Sequence, residues 1–263
     1  MKVSLEARRT RPAETTQEYL KRIKYRGSLQ PSLENLAALH KNHLLSVPFE
    51  NLDIHLGRPV VLSQDAFYRK IVKQRRGGFC YELNGSFAAL LIRLGFKVHM
   101  LSARVAQKTG GFSPEFDHMV LLVTLEDRWL VDVGFGDSFT DPKRLDYQDS
   151  ETDNGRVYRI IRRTEGRLLS RWDDEKSLWE PQYMFTLRPR KLEDFVRRCR
   201  WQQTSPNSHF KMGRLCTKLT SYGRVTLTDR KLVVTRGQKR IERPVKSRRE
   251  FDRLLRKWFA IKL

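Results

Sequence analysis

The chain has 263 residues, 52 Lys and Arg against 30 Asp and Glu, a formal net charge of +22 and a hydrophobic fraction of 39%. This apolar content is sufficient for a buried core, which excludes wholesale disorder. Because no run approaches the roughly 18 consecutive apolar residues of a membrane-spanning helix, none is expected.

The beginning of the chain and its cysteines indicate where the protein works. The first residues, MKVSLEARRTRPAE, contain no apolar stretch, so no secretory leader is expected. Cys80, Cys199 and Cys216 form an odd set that is too small for a disulfide framework. Free thiols are typical of a reducing compartment, so we predict a cytoplasmic protein.

The first part of the chain has the periodicity of helices. An amphipathic run covers residues 16–23, and Ser32 and Ser63 are candidate N-caps of two further helices. A fourth helix begins at Cys80, directly after two glycines. We therefore predict a helical domain over residues 1–95.

After this point the apolar period changes to two, which is typical of strands. The predicted strands cover residues 98–105, 119–124, 129–133, 157–162 and 179–187. Short strands separated by turns indicate an antiparallel sheet or small barrel, which we assign to residues 96–190. The remaining residues, 191–263, mix helices with a hairpin, so the predicted fold class is α+β with three domains.

Most of the excess charge lies near the C-terminus, where residues 156–263 carry 30 Lys and Arg against 11 Asp and Glu. One interpretation is a solvated basic face that favours solubility. The other is a docking surface for a polyanion, either nucleic acid or a phosphate-rich cofactor. Charge alone does not decide between them.

Cys80 is the first candidate for chemistry. At the start of a helix its sulfur would lie near unpaired backbone N–H groups and the positive end of the helix dipole. Such a setting favours thiolate over thiol, so a lowered pKa is expected. The alternative is a buried cysteine that acts as a small apolar side chain.

A nucleophilic thiolate needs a base, and the base needs an orienting group. Six histidines are available. Five of them lack a suitably spaced partner and are expected to be structural: His40, His43, His55, His99 and His209. His118 begins a predicted strand, and the next strand carries Asp132 within an apolar run. A carboxylate in that position needs a partner if it is buried, and a protonated histidine would serve.

The geometry of the hairpin decides whether these two side chains meet. A two-residue loop would place His118 and Asp132 on opposite faces of the sheet. A three-residue loop, Leu125-Glu126-Asp127, places Asp132 opposite Val120 and on the same face as His118. We therefore predict an odd-length loop or an equivalent bulge.

Several segments together resemble the arylamine N-acetyltransferase family. They are RRGGFCYELNGSF around Cys80, DHMVLL around His118, VDVGFGDSF around Asp132, and VPFENLDIHLG and TSPNSHF elsewhere in the chain. The resemblance extends from Tyr19 to the C-terminus. No long insertion separates the second and third parts, so the chain is similar to bacterial rather than vertebrate members.

The resemblance implies a Cys-His-Asp triad of Cys80, His118 and Asp132 on a fold related to papain-like cysteine hydrolases. Its three parts would be a helical bundle, an antiparallel β-barrel and an α/β lid. The implied reaction is acetyl transfer from acetyl-CoA to arylamines or arylhydrazines through an acetyl-cysteine, by a ping-pong route. Acetyl-CoA is the co-substrate, and no metal is implied.

The resemblance also implies further site residues. Those expected to contact substrate or cofactor are Asp117, Phe135, Gly136 and Phe210. Those expected to support the site are Glu50, Arg76, Phe79 and Gly134, with Arg76 and Glu50 as a possible ion pair. Because an acyl-enzyme must be shielded from water, we expect an aromatic cleft built from Phe79, Phe135 and Phe210.

Two alternatives remain open. One is a relative that closes an amide on a carrier-bound acyl chain, which would need a wider cleft and would not accept acetyl-CoA. The other is a basic nucleic-acid-binding protein on a retired enzyme scaffold, although no nucleic-acid-binding signature is present. The expected partners are acetyl-CoA and small aromatic amines, without membrane or nucleic acid, in a monomer or homodimer.

Overall fold

The computed structural model of the chain describes residues 12–147 and 149–263. Residues 1–11, on which the expectation about a leader and the start of the first predicted domain rest, lie outside the described residues. No helix in the described part of the chain combines the length and apolar character that crossing a bilayer requires.

The bounds of the helices are α1 Pro12–Arg22, α2 Leu33–Ser46, α3 Leu52–His55, α4 Gln64–Phe67, α5 Cys80–Arg93, α6 Val196–Thr204 and α7 Arg248–Phe259. Three of the helices, α2, α4 and α7, begin after a serine whose side chain caps the first turn. As predicted, the hydroxyl of Ser32 accepts the Asn35 N–H at 3.2 Å, and that of Ser63 accepts the Ala66 N–H at 3.2 Å. Helix α4 continues as a π-helical segment, Tyr68–Lys73.

The strands form two antiparallel sheets. Their bounds are β1 Phe49–Glu50, β2 Lys97–Val105, β3 His118–Thr124, β4 Arg128–Val131, β5 Lys143–Arg144, β6 Glu151–Asp153, β7 Arg156–Arg163, β8 Gly166–Asp173, β9 Leu178–Arg190, β10 Leu215–Thr220, β11 Gly223–Thr228, β12 Lys231–Arg236 and β13 Lys239–Pro244. The larger sheet has the order β5-β4-β3-β2-β9-β8-β7-β6 and curls into a nearly closed barrel. Closure of this kind leaves few exposed strand edges.

The hairpin between β3 and β4 has the predicted three-residue loop. Thr124 pairs with Arg128 and Leu121 pairs with Val131, so the register places His118 and Asp132 on one face. The predicted strand 129–133 ends earlier, at Val131. Its last two residues leave the sheet because the N–H of Val133 donates to the Asn84 side chain at 2.9 Å.

The smaller sheet has the order β1-β10-β11-β12-β13. Helix α7 covers it with Phe251, Leu254 and Leu255, which form a core with strand residues such as Val225. The two-residue strand β1 comes from the helical part of the chain and pairs with β10. This long-range pairing was not predicted, and it brings the loop before Cys80 next to the last part of the chain.

Three strands of more than five residues, β8, β10 and β13, were also not predicted. All six residues of β13 are exposed, and most are charged or polar, so the strand has no apolar alternation to detect. The α+β class and the antiparallel barrel are nonetheless as expected. The domain boundaries at residues 95 and 190 remain a prediction.

Candidate active site

Cys80 is the first residue of α5, as predicted. The turn before it is tight, because a Cβ on Gly77 would lie 2.0 Å from the carbonyl oxygen of Pro48. The backbone N–H of Phe79 donates to the Glu82 carboxylate at 3.1 Å, which holds the first turn of the helix. The thiol is thereby fixed at the helix N-terminus, and it is buried.

His118 and Asp132 meet as the hairpin register predicted. The His118 Nε2 lies 2.8 Å from Asp132 Oδ2, and both residues are buried. With Nε2 held by the carboxylate, Nδ1 is the ring nitrogen left for a second partner. His118 and Cys80 line the same cavity.

Asn84 supports this pair from the helix that carries Cys80. Its amide donates to Asp132 Oδ1 at 2.8 Å, and the N–H of Gly134 donates to the same oxygen at 2.8 Å. Asn84 is four residues after Cys80, so the two share one face of α5. That spacing is a signal in the sequence that could have identified Asn84.

The His40 ring bonds to the backbone at both Asp132 and Thr140, the two ends of a segment that includes cavity-lining residues. Its Nδ1 lies 2.7 Å from the carbonyl oxygen of Thr140, and its Nε2 lies 3.1 Å from the carbonyl oxygen and 3.3 Å from the nitrogen of Asp132. A neutral ring protonated on Nδ1 donates to Thr140 and accepts the Asp132 N–H at Nε2. Burial lowers the pKa of His40, which favours this neutral form. His40 is thus structural, as expected, but it fixes both ends of segment 132–140.

A cavity of about 340 Å³ opens over the thiol. Aromatic rings of Phe49, Phe135 and Phe210 line it, and the Phe135 ring lies 5.2 Å from the His118 ring. Gly136, with φ of +93°, lets the wall turn there without strain. Phe135, Gly136 and Phe210 therefore line the same cavity as Cys80.

Gly134 lies close to the backbone of Cys80. A Cβ on Gly134 would lie 2.9 Å from Cys80 Cα, so glycine is needed for this close approach.

Phe79 does not line the cavity, so the prediction that its ring forms part of the aromatic cleft was wrong. Its ring packs against the rings of Tyr81 at 5.1 Å and Phe210 at 5.7 Å, because the residue before the helix points into the core. Phe79 supports the cavity wall from behind.

Asp117 lines the cavity beside His118, but its carboxylate is already engaged. Its Oδ1 accepts hydrogen bonds from Arg198 Nε at 2.6 Å and from the Gln202 amide at 2.5 Å. Arg198 and Gln202 come from α6, more than 80 residues away in the chain. They were not identified from the sequence because nothing local marks a contact at that separation.

His209, which was expected to be structural, lines the cavity next to Phe210. Arg224 and Asp137 line it as well and were also not identified. In contrast, His55 has the expected structural role, with its Nε2 2.9 Å from the carbonyl oxygen of Phe210. Among the residues that the structure describes, no group of three or more His, Cys, Asp or Glu side chains is arranged to hold a metal ion.

The pKa values of the buried Asp132 and Cys80 side chains are shifted in opposite directions. Burial works to raise the pKa of Asp132, but His118 and the hydrogen bonds from His118, Asn84 and Gly134 hold it below its usual range. Burial raises the pKa of the Cys80 thiol well above its usual value. The lowered thiol pKa expected from the helix terminus was therefore wrong, because desolvation opposes the thiolate more strongly. The neutral thiol needs a base to react.

This leads to a prediction for alkylation of Cys80 by iodoacetamide. In His118→Gln the thiol keeps its proton, so the alkylation rate is expected to rise with pH through a midpoint above the ordinary cysteine value of about 8.5. In the wild type the imidazole can take the proton, so the midpoint is expected at lower pH. Rates measured from pH 5 to 10 check this, and identical profiles for the two proteins would contradict it.

Glu50 and Arg76 form the expected ion pair below the cavity. Arg76 donates to Glu50 Oε1 from Nε at 3.0 Å and from Nη2 at 2.8 Å. Lys70 joins them, lying 2.8 Å from Asp53 and 2.9 Å from Glu82. This buried network ties the turn before Cys80 to α3 and to the π-helical segment.

Removing one member of the network is expected to destabilise the fold. Arg76→Met leaves the Glu50 carboxylate, which has no exposed side-chain surface, without its guanidinium. The expected loss in free energy of unfolding is about 3–5 kcal/mol, measured by urea denaturation. Lys73→Met is the control, since Lys73 pairs with Glu18 at the surface and should cost at most about 1 kcal/mol. Equal losses in the two variants would contradict the assignment.

Comparison with known proteins identifies relatives over most of the chain. A family model described as N-acetyltransferase matches residues 32–263. The arylamine N-acetyltransferase of Mycolicibacterium smegmatis is 38% identical over 226 residues, which cover 83% of this chain and 82% of the relative. That of Escherichia coli (strain K12) is 36% identical over 214 residues, which cover 80% of this chain and 75% of the relative.

Solved structures give the same result. The arylamine N-acetyltransferase from M. tuberculosis matches with a TM-score of 0.87 and 33% identity, covering 93% of both chains. That of Mycobacterium marinum in complex with CoA matches with a TM-score of 0.87 and 32% identity, covering 94% of this chain and 92% of the other. The family model, the sequence relatives and the structures agree, and the chain belongs to the arylamine N-acetyltransferase family of acyltransferases.

Proposed function

We propose that this protein transfers an acetyl group from acetyl-CoA to arylamines and arylhydrazines, with Cys80 as nucleophile, His118 as base and Asp132 as the orienting carboxylate. The observation that carries the proposal is the 2.8 Å contact between His118 and Asp132 beside the buried thiol, in a cavity shared by Cys80 and His118. A base oriented in this way is what a neutral thiol requires.

In the first half-reaction, Nδ1 of His118 takes the thiol proton and the sulfur attacks the thioester carbonyl carbon. The C–S bond to CoA breaks, the leaving thiolate takes the proton from the imidazolium, and acetyl-Cys80 remains. We assign stabilisation of the oxyanion to backbone N–H groups at the start of α5. In the second half-reaction the amine nitrogen attacks the carbonyl carbon of acetyl-Cys80 and His118 takes its proton. The C–S bond to Cys80 then breaks, the acetylated amine leaves, and the Cys80 thiolate recovers the proton from the imidazolium.

The cavity supports a small acceptor. Its volume of about 340 Å³ is at the low end for ligand sites, and aromatic side chains limit access of water to an acetyl-enzyme. A carrier-bound acyl chain, the substrate of an amide synthase, would need a wider cleft. The cavity therefore favours the acetyltransferase over that alternative.

Steady-state kinetics test the reaction scheme. A ping-pong route predicts parallel double-reciprocal plots when arylamine concentration is varied at several fixed concentrations of acetyl-CoA, because CoA leaves before the amine reacts. Intersecting lines would indicate direct transfer in a ternary complex and would contradict an acetyl-cysteine intermediate.

We also propose a cytoplasmic location. It is supported by the three cysteines, all of which are free and buried in the structure. A monomer or a homodimer remains the predicted oligomeric state.

A further inference from the structure

One carboxylate in the cavity over Cys80 has an oxygen that no protein donor uses. The hydrogen bonds from Arg198 and Gln202 both go to Asp117 Oδ1. No donor within residues 12–147 and 149–263 makes a hydrogen bond to Oδ2. Asp117 is buried as a whole, yet Oδ2 keeps accessible surface. Because Asp117 lines the cavity, Oδ2 is the oxygen available to a molecule bound there.

Asp137, which also lines this cavity, has both of its carboxylate oxygens engaged. Its Oδ1 accepts a hydrogen bond from Arg156 at 2.6 Å and lies 2.9 Å from Arg224 Nε. Its Oδ2 accepts a second hydrogen bond from Arg156 at 3.4 Å. A ligand donor would have to compete with two guanidinium groups for Asp137, whereas Asp117 Oδ2 has no such competitor.

Arg198 holds the Asp117 carboxylate in one orientation. Its Nε lies 2.6 Å from Oδ1, and its side chain is only 16% exposed. The Arg198 guanidinium also lies 3.7 Å from the centroid of the Trp201 ring, which fixes it further. Asp117 lines the cavity and Arg198 does not, so the negative end of this ion pair is the end that a ligand meets.

The surroundings of Asp117 make this end effective. Its carbonyl oxygen lies 4.0 Å from Cys80 Sγ, so the residue is close to the reacting atom. The rings of Phe135 and Phe210 line the same cavity. In surroundings of low dielectric constant a hydrogen bond to a carboxylate is strengthened, and a second negative charge beside it is costly.

We propose that Asp117 selects the acceptor amine. Its Oδ2 accepts a hydrogen bond from a second donor group on the aromatic ring, such as a hydroxyl or amino substituent, and disfavours acceptors that carry a carboxylate there. The inference rests on the proposed function, because that function supplies the aromatic amine. A site that is built to accept a hydrogen bond discriminates strongly against an analogue that lacks the donor.

Acceptors of matched shape test the selection in the wild type. Aminophenols carry the O–H donor, and the corresponding methoxyanilines lack it, while the two substituents affect the reactivity of the amine similarly. With acetyl-CoA as donor, kcat/KM is expected to be at least about tenfold higher for the phenol in the 3-substituted or the 4-substituted pair. Ratios near one in both pairs would overturn the proposal.

Asp117→Asn is expected to reverse the preference. The asparagine carbonyl oxygen takes over the hydrogen bonds from Arg198 and Gln202, so its NH₂ group replaces Oδ2 and presents a donor to the cavity. The value of kcat/KM is expected to fall about tenfold for the preferred aminophenol and to rise about tenfold for the aminobenzoate of the same substitution pattern. Damage to the fold could lower both values, but it could not raise one of them.

Glu115→Gln is the matched control. Glu115 lies in the same loop and pairs with Arg190 at 3.6 Å, but its side chain is 49% exposed and does not line the cavity. This variant is expected to leave kcat/KM for both acceptors within about twofold. If Asp117→Asn lowered both values by the same factor, or changed neither, Asp117 would not select the acceptor.

Alkylation of Cys80 tests the charge of Asp117 without acetyl transfer. Iodoacetamide is neutral and iodoacetate is an anion, so the ratio of their rates cancels any change in thiol reactivity that is common to both. Asp117→Asn is expected to raise the rate with iodoacetate relative to iodoacetamide at least about threefold, and Glu115→Gln to leave the ratio unchanged. An unchanged ratio in Asp117→Asn would overturn the proposal. If the ratio rises but the wild type acetylates no aromatic amine, the proposed function fails while the charge effect of Asp117 stands.

Discussion

Cys80→Ser is expected to lower kcat/KM for acetyl transfer at least about 10⁴-fold. Serine keeps the size of the side chain, but its hydroxyl is far less acidic than a thiol, and burial disfavours the charged form further. His118 therefore removes the hydroxyl proton far less readily than it removes the thiol proton at neutral pH. Arylamine acetylation, followed with acetyl-CoA as donor, measures the loss.

Cys216→Ala is the matched control for this substitution. Cys216 is also buried and free, but it lies in β10 and packs in the core of the smaller sheet. Its loss is expected to lower stability slightly and to leave kcat/KM within a few-fold. If Cys80→Ser retained more than about one per cent of wild-type activity, Cys80 could not be the group that carries the acetyl unit.

Asp132→Asn is expected to lower kcat about 10³–10⁴-fold with little change in the KM for the amine. The asparagine side chain fits the space, but its amide no longer stabilises the imidazolium that forms when His118 takes a proton. Its NH₂ group also favours the wrong tautomer of the ring, with the proton on the nitrogen that should accept it. The separation of kcat from KM distinguishes this effect from a loss of substrate binding.

Asp146→Asn provides the comparison for Asp132→Asn. Asp146 also pairs with a basic side chain, lying 2.7 Å from Arg128, but its side chain is 47% exposed. Its loss is expected to change neither kcat nor KM measurably. A wild-type kcat in Asp132→Asn would show that His118 needs no orienting carboxylate and would contradict the proposed role.

The contact between His118 and Asp132 could be predicted from the sequence because it depends on local rules. Strand periodicity places both residues, and the three-residue loop sets the register that brings them to one face. The position of Cys80 at a helix start followed in the same way from the two glycines before it. Each of these features is determined within about 15 residues of the chain.

The contacts that complete the site are long-range, and for this reason the sequence did not reveal them. His40 reaches Asp132 across 92 residues, and Asp117 is held by Arg198 across 81 residues. Such pairs depend on how α2 and α6 dock against the barrel, which no local pattern encodes. The resemblance to a family supplied residue roles but not these supporting contacts.

Two predictions failed for related physical reasons. The thiol pKa of Cys80 was expected to be lowered by the helix terminus, but burial dominates and raises it. Phe79 was expected to line the cleft, but its ring packs in the core behind Phe210. Both depend on burial, which is set by the packing of the whole chain rather than by neighbours in sequence.

Mass spectrometry of the intact protein after incubation with acetyl-CoA tests the central claim most directly. The wild type is expected to gain the mass of one acetyl group, located on Cys80 by peptide mapping, and to lose it when an arylamine is added. Absence of the adduct, its persistence in Cys80→Ala, or its failure to leave on addition of the amine would contradict an acetyl-cysteine intermediate at this site.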